Sequence, residues 1–173
     1  MLSPSTPPPP STPVPERITF APVAAGDFDE LLAIRIAAMR ESLERVGRFD
    51  PQRARERLQR SFYPAASEFI LLDGERLGFY TLRAAPNGLH LEHLYLLPRA
   101  QSAGVGSYVL RRLLNRADAA RQPVMLGALR ESPANRFYQR HGFVQTDSSE
   151  WDFYYTRQPT PLADGAPTAA PER

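Results

Sequence analysis

The spacing of hydrophobic residues divides the first third of the chain into one strand and two helices. The segment ITFAPV (18–23) predicts a first strand. Asp27 and Glu30 indicate a capping box at the start of a helix, and Asp50-Pro51 marks the start of a second, mostly polar helix that runs through Arg60. The apolar residues of the first helix recur at helical spacing: Phe28, Leu31, Leu32, Ile36, Met39 and Leu43.

Turn residues in the middle of the chain predict a three-stranded antiparallel meander. Asp73-Gly74 forms a two-residue turn between FILL (69–72) and RLGFYTLR (76–83), and Asn87-Gly88 leads into LHLEHLYLL (89–97). A regular strand without a bulge places alternate residues on opposite faces. We therefore expect one face of the third strand to carry His90, Glu92, Leu94 and Leu96, and the other to carry His93 and Tyr95.

The pattern that follows is a helix between two strands. Residues 104–121 are helical, with an apolar side, and VMLGAL (124–129) is a short buried strand. A strand, a crossover helix and a second strand imply a parallel pair. Ser132-Pro133 begins a last short helix that ends at Gly142, and FVQT and WDFYYT complete the sheet. The aromatic face of Trp151, Phe153 and Tyr155 indicates either core packing or a homodimer interface.

Composition limits the classes of protein that remain. The chain has 173 residues, 42% of them hydrophobic, which fits a single folded domain. Its proline-rich ends predict disordered tails at 1–16 and 158–173 around a domain at 17–157. The absence of a targeting signal or a long apolar run predicts a cytoplasmic protein without a membrane span. Because the chain has no cysteine, thiolate metal sites and cysteine nucleophiles are excluded, and no metal is expected.

The distribution of charged residues does not indicate a particular class of binding partner. All 21 basic residues are arginine, the formal net charge is +2, and the basic residues are interspersed with acidic ones. A nucleic-acid surface therefore has weak support.

The most informative segment is QSAGVG (101–106), which joins the end of a strand to the start of a helix. A helix amino terminus offers unpaired N–H groups and partial positive charge, and small side chains let a phosphate reach them. The alternative is a tight turn in which glycine serves backbone geometry alone. A Walker loop is excluded because the chain has no lysine, and a dinucleotide fingerprint would need a glycine at Val109.

Two motifs give the chain a family resemblance. Gln-x-x-Gly-x-Gly after Leu-Tyr-Leu-Leu-Pro resembles the acetyl-CoA loop of the GNAT superfamily of N-acetyltransferases, and SPANRFYQRHGF (132–143) is similar to its NPxxxFYxxxGF segment. The resemblance covers most of 17–157. It implies a mixed α/β (α+β) fold with a mostly antiparallel sheet of six to seven strands, about four helices and a splayed parallel strand pair. Ser132 departs from the usual asparagine but can still cap a helix.

The resemblance also assigns roles to particular residues, with acetyl-CoA as the cosubstrate. The pyrophosphate is expected on the backbone N–H groups of the loop, the pantetheine arm on the backbone of the preceding strand, and further contacts on the short helix. The expected cofactor-binding residues are Leu94, Tyr95, Leu96, Gln101, Ser102, Ala103, Gly104, Val105, Gly106, Ser107, Ser132, Asn135 and Tyr138.

For catalysis, the family comparison indicates Tyr138 as the general acid beside the thioester sulfur. Glu92 or His90 is the candidate base, and the sequence does not choose between them. The resemblance places the acceptor near residues 34–63 and leaves open a small-molecule amine, an amino acid, a peptide amino terminus or a protein lysine. The arginines of that region indicate either an acidic acceptor or only solvated helix faces. Two other classes stay open at this stage, namely an acyl-CoA sensor without turnover and an arginine-rich nucleic-acid-binding module.

Overall fold

A computed structural model describes residues 14–161, in which one seven-stranded sheet forms the centre of the fold. The strand order is β1-β2-β3-β4-β5-β7-β6, and all neighbours are antiparallel except the parallel pair β4–β5. This confirms the predicted mixed sheet and its meander. The strands are β1 Ile18–Pro22, β2 Ser67–Leu72, β3 Glu75–Ala85, β4 Gly88–Leu96, β5 Val124–Leu129, β6 Val144–Ser148 and β7 Asp152–Arg157.

Five α-helices accompany the sheet: α1 Val14–Arg17, α2 Phe28–Arg45, α3 Pro51–Arg60, α4 Val105–Ala119 and α5 Ala134–Arg140. The last four match the predicted helices. The one-turn α1 begins within the predicted amino-terminal tail of residues 1–16, of which the structure describes only residues 14–16. The rest of the amino-terminal tail, and residues 162–173 of the other, lie outside the described residues. No helix in the described part of the chain has the length and apolar character that a membrane span requires.

The helix starts show which capping predictions were correct. Asp50 caps α3, and its carboxylate accepts hydrogen bonds from the backbone N–H groups of Gln52 and Arg53. Asp27 does not cap α2, so the predicted capping box there is wrong. A short 3-10 turn precedes α2, and within it the Asp27 carboxylate accepts from the backbone N–H of Ala24 instead.

The two hairpin turns behave differently. Asp73 and Gly74 both have positive φ (52° and 81°), the backbone geometry that suits a two-residue hairpin turn. The second turn is displaced by one residue from its predicted place, because Gly88 already belongs to β4. Its φ of 140°, and the 2.5 Å that would separate a Cβ from the Pro123 carbonyl oxygen, explain why glycine is needed there.

Hydrophobic residues pack on both faces of the sheet. One core contains Val109, Leu110 and Leu113 of α4 together with Leu91 of β4. The other core lies under α2 and α3, where Leu58 and Phe79 are completely buried. Burying apolar side chains on both sheet faces is the main stabilising contribution to such a layered fold.

A bulge in β4 overturns the predicted alternation of its side chains. Thr81 pairs with His93 and Leu82 pairs with Leu91, so Glu92 is an additional residue with no opposite partner on β3. The bulge shifts the alternation by one residue. His90 and Glu92 therefore share the α2 and α3 face with His93 and Tyr95, whereas Leu91, Leu94 and Leu96 face the α4 core.

The parallel strands β4 and β5 separate soon after they meet. Only two residue pairs join them, Leu89 with Val124 and His90 with Met125. Beyond this point β4 continues to Leu96 and β5 to Leu129 without pairing to each other. This is the splayed pair that the family resemblance implied, and it opens a gap in the middle of the sheet.

Candidate functional site

The gap between the splayed strands continues into a cleft of about 750 Å³. Its walls come from α2, α3, β4, the loop before α4, β5 and α5. The predicted site residues that line it are His90, Glu92, Leu94, Tyr95, Leu96, Gln101, Ser102, Gly104, Gly106, Ser107, Ser132 and Tyr138; Ala103, Val105 and Asn135 do not. One continuous cleft thus connects the loop with the α2 and α3 region.

The loop before α4 presents a row of unused backbone donors. The first loop N–H, that of Gln101, donates to the Pro98 carbonyl. From Ser102 through Ser107, no described residue accepts from the backbone N–H groups. Because the last of these lie at the positive end of α4, the loop fits an anionic phosphate group well.

Backbone geometry explains the small residues of this loop. Ser102 and Gly104 have positive φ (65° and 80°), and Gly104 is the residue from which α4 begins. The Gln101 side chain donates to the Leu96 carbonyl at 2.9 Å and so ties the loop to the end of β4. Val105 is completely buried and does not line the cleft, although its backbone N–H is one of the unpaired donors.

At the opposite wall, β5 and α5 are joined by a well-bonded turn. Ser132 Oγ accepts from the backbone N–H of Ala134 and so satisfies one donor at the start of α5, although Pro133 rather than Ser132 stands at the N-cap. The Asn135 amide donates to the carbonyls of Leu129, Arg130 and Ser132, and its oxygen accepts from the Tyr155 hydroxyl. Asn135 therefore shapes the wall of the cleft from behind. Its predicted contact with the cofactor stays a prediction.

Tyr138 lies on α5 and is buried, with its ring packed against Phe137 and Phe143. Burial raises the pKa of its hydroxyl well above the usual range, and nearby Tyr95 adds to this effect. The hydroxyl is therefore protonated at neutral pH. It makes no hydrogen bond to any residue between 14 and 161, which leaves its proton available to a group bound in the cleft.

The bulge places the two candidate bases together. Glu92 Oε1 accepts from Arg83 Nε at 2.6 Å and lies 3.2 Å from His90 Nδ1. The Glu92 side chain is 16% exposed and the His90 side chain 31%, so both are partly shielded while lining the cleft. Arg83 in turn lies over the ring of Tyr63. Arg83 therefore holds the Glu92 carboxylate beside His90 at the bulge.

His93 is a third histidine in this region and was expected to be structural. Its Nε2 lies 3.0 Å from Ser61 Oγ and 3.2 Å from the Ser61 carbonyl oxygen. Burial lowers the pKa of His93 from its ordinary value of 6.5 to about 4, so the ring is neutral at pH 7. Its Nδ1 is buried without a hydrogen-bond partner among the described residues.

Arg35 is a cleft residue that the sequence placed only within the expected acceptor region, residues 34–63, without singling it out. It lies on α2, is 5% exposed, and lines the cleft between the two helices and the sheet. A signal was present in the sequence, because Arg35 is the only charged residue in LLAIRIAAM (31–39) and lies four positions after buried Leu31. Periodicity alone assigns that face to the core but does not explain a cation there.

A mixed sheet opened by a splayed parallel pair, with unpaired loop amides at one end of the gap, is the arrangement that the family resemblance implied for the acetyl-CoA site. No group of three or more histidine, aspartate or glutamate side chains suited to a metal ion occurs between residues 14 and 161. The family model of the acetyltransferase (GNAT) domain matches residues 64–145. Residues 64–145 thus carry an acetyltransferase (GNAT) domain, as the motifs implied; the protein is an acyltransferase, and acetyl-CoA is its acyl donor.

Solved structures share this fold at low sequence identity. The PaiA N-acetyltransferase from Thermoplasma acidophilum in complex with coenzyme A is 19% identical, with a TM-score of 0.60 over 82% of this chain and 98% of that one. An acetyltransferase from Thermus thermophilus is 19% identical, with a TM-score of 0.64 over 82% and 96%. The ribosomal-protein-S18-alanine N-acetyltransferase from Escherichia coli is 12% identical, with a TM-score of 0.62 over 86% and 98%. No curated protein sequence matches the chain.

Proposed function

We propose that this protein transfers an acetyl group from acetyl-CoA directly to a primary amine that enters the cleft from the α2 and α3 side. The observation that carries the proposal is the continuous cleft, which has the unpaired loop amides at one end and α2 and α3 at the other. Donor and acceptor can therefore meet at the splayed strands. Holding two reactants in line can supply roughly 7–11 kcal/mol of a barrier.

The loop before α4 and the edge of β4 are proposed to bind different parts of acetyl-CoA. We assign the pyrophosphate to the backbone N–H groups of residues 102–107, which lie at the positive end of the α4 dipole; the Gln101 N–H, predicted to join them, is already bonded to the Pro98 carbonyl. The unpaired edge of β4 at Leu94, Tyr95 and Leu96 can hydrogen-bond an extended pantetheine arm, as a strand edge binds an added strand.

Tyr138 is proposed as the general acid. Transfer from a thioester to an amine forms an amide bond and releases a thiolate, which needs a proton. Tyr138 lines the cleft, and its hydroxyl, which makes no hydrogen bond to a described residue, can donate its proton to the departing sulfur. General acids contribute typically 10²–10⁴-fold to the rate.

Glu92 and His90 are proposed to remove the proton from the attacking amine. Their side chains lie 3.2 Å apart at the bulge and line the same cleft. Arg83 holds the Glu92 carboxylate, which lies 3.2 Å from His90 Nδ1. A base in this position takes the amine proton either directly or through one water molecule.

Turnover on a panel of primary amines tests the proposal. Released CoA is measured with a thiol reagent, and because the protein has no cysteine the enzyme adds no background. Direct transfer predicts intersecting initial-velocity lines and no acetylated protein by intact mass spectrometry. Parallel lines together with an acetylated protein would overturn direct transfer. Binding of acetyl-CoA without turnover of any amine would identify a sensor instead.

Two variants test the assigned roles. Tyr138→Phe is expected to lower kcat by about 100-fold or more while leaving the Kd for acetyl-CoA unchanged. Tyr108→Phe is the matched control, because Tyr108 packs against the core and does not line the cleft. A Tyr138→Phe protein with wild-type kcat refutes the general-acid assignment. Glu92→Gln and His90→Gln, compared across pH, identify which of the two carries the base function.

A further inference from the structure

Arg35 is a buried cation without a counterion in the described part of the chain. Its side chain is 5% exposed, yet it forms no salt bridge with any described carboxylate. One weak hydrogen bond joins Nη1 to the Ala54 carbonyl at 3.4 Å, and Nε has no partner. Buried charges in proteins are normally paired, because an unpaired one loses its hydration without compensation.

A small cavity lined by Arg35 and Asp50 lies next to the cleft. The carboxylates that line the cleft and this cavity have partners other than Arg35. Glu41 pairs with Arg45 at 3.0 Å, and Asp152 lies 3.8 Å from Arg57. Asp50 caps α3 through Oδ1, and Glu92 pairs with Arg83 as described above. None of these described carboxylates forms an ion pair with Arg35.

The surroundings of Arg35 are positively charged. Arg48 and Arg53 line the small cavity next to it, and the Arg48 guanidinium lies over the Trp151 ring rather than against a carboxylate. The positive charge of Arg35 also contributes, after burial, to the lowered pKa of His93. This end of the cleft therefore attracts an anion.

Arg35 lies at the end of the cleft where we propose that the acceptor amine binds, not at the end proposed for acetyl-CoA. It lies on α2, and its Cζ is 5.8 Å from the ring centroid of Tyr95, which itself borders Tyr138. The loop that we assign to the pyrophosphate lies at the other end of the cleft. A group bound by Arg35 would thus stand one side chain away from the proposed general acid.

We infer that Arg35 binds a carboxylate of the acceptor, so that the preferred substrates are primary amines that carry a carboxylate group. This inference rests on the proposed function. A guanidinium can donate two parallel hydrogen bonds to a carboxylate, and the unpartnered Nε supplies one of the donors. Both a free amino acid and an acidic residue next to the amino terminus of a peptide offer this chemistry.

Matched pairs of amines test the inference with the full chain and acetyl-CoA. The free amines are glycine and β-alanine, each compared with its carboxamide, and the peptides are tripeptides that differ only by aspartate or asparagine at the second position. We expect kcat/KM to favour the carboxylate members by about 10- to 100-fold, as a charged hydrogen bond does. The free amines and the peptides together distinguish the two sources of the carboxylate.

Arg35→Gln is expected to remove that preference, mainly through KM, and to leave the carboxamides and the Kd for acetyl-CoA unchanged. Arg35→Lys keeps the charge but not the paired donors and should retain part of the preference. Arg40→Gln is the matched control, because Arg40 lies on the same helix with an exposed side chain paired to Glu44 at 2.8 Å.

The possible outcomes separate this inference from the proposed function. Equal or faster turnover of the carboxamides by the wild-type protein overturns the carboxylate site and leaves amine acetylation intact. Calorimetric binding of β-alanine to the CoA-bound protein, lost in Arg35→Gln, supports the site even without turnover, in which case only the proposed function fails. Neither binding nor turnover of any carboxylate-bearing amine overturns the carboxylate site, and the proposed function fails as well only if no amine of the panel is turned over.

Discussion

Acidification should destabilise the protein through His93. Burial lowers the pKa of this ring to about 4, whereas in the unfolded chain it returns to about 6.5. Between these two values the unfolded state binds more protons than the folded state, so the free energy of unfolding falls as pH falls. The contribution is complete above pH 6.5 and is lost as the pH falls through 4.

The size of the effect follows from the two pKa values. Between pH 7.5 and pH 5.0, His93 should lower the free energy of unfolding by about 2 kcal/mol, and the full shift corresponds to roughly 3 kcal/mol. The pKa of Asp118 is lowered mainly by its hydrogen bond with Arg157. The stability that Asp118 contributes is therefore lost only as the pH falls below the ordinary carboxyl pKa, and this pH range hardly overlaps with the range of His93. The His93 contribution can therefore be measured separately.

Urea denaturation of the wild type and of His93→Gln at pH 7.5 and pH 5.0 provides the measurement. Glutamine does not titrate, and any packing defect it causes is the same at both pH values. The wild type should lose about 2 kcal/mol more than the variant between the two conditions. An equal pH dependence in both proteins would show that the ring is not held neutral by burial, and the reasoning would be refuted.

Three further predictions concern single substitutions. Gly104→Val should raise the Kd for acetyl-CoA about tenfold in calorimetry, because the φ of 80° costs a residue with a Cβ about 1–2 kcal/mol; Gly26→Val, outside the loop, is its control. Asp118→Asn should lower the free energy of unfolding by about 3 kcal/mol, because Arg157, 13% exposed, loses its counterion. Leu58→Ala should lower it by about 2–5 kcal/mol, since Leu58 is completely buried between α3 and the sheet. Urea denaturation checks the last two, and a loss below about 1 kcal/mol in either contradicts the packing described above.

The local patterns of the sequence were sufficient for most of the fold. Asp73-Gly74 predicts its turn because glycine readily adopts positive φ and aspartate tolerates it. Asp50-Pro51 predicts the start of α3 because the carboxylate of the first residue satisfies helix N–H groups that have no other partner. These features depend on a few neighbouring residues, so they can be read without knowing the rest of the molecule.

The loop before α4 was also predictable from sequence. Its small residues mark a helix start where side chains do not cover the backbone donors, and the structure leaves those donors unpaired among the described residues. Which groups bind there was an inference from family resemblance. The match to the acetyltransferase (GNAT) domain over residues 64–145 then confirmed the class of donor.

The tertiary structure decided how the site is composed. The bulge at Glu92 arises from the register between β3 and β4, and a one-residue change in register moves every later side chain to the opposite face. The burial of Arg35 depends on how α2 and α3 pack over the sheet, which no single segment specifies. The sequence by itself determined which elements form and where the donor loop lies, because these depend on short-range backbone chemistry. Only the packed structure determined which charges face the cleft, because that depends on contacts between residues distant in the chain.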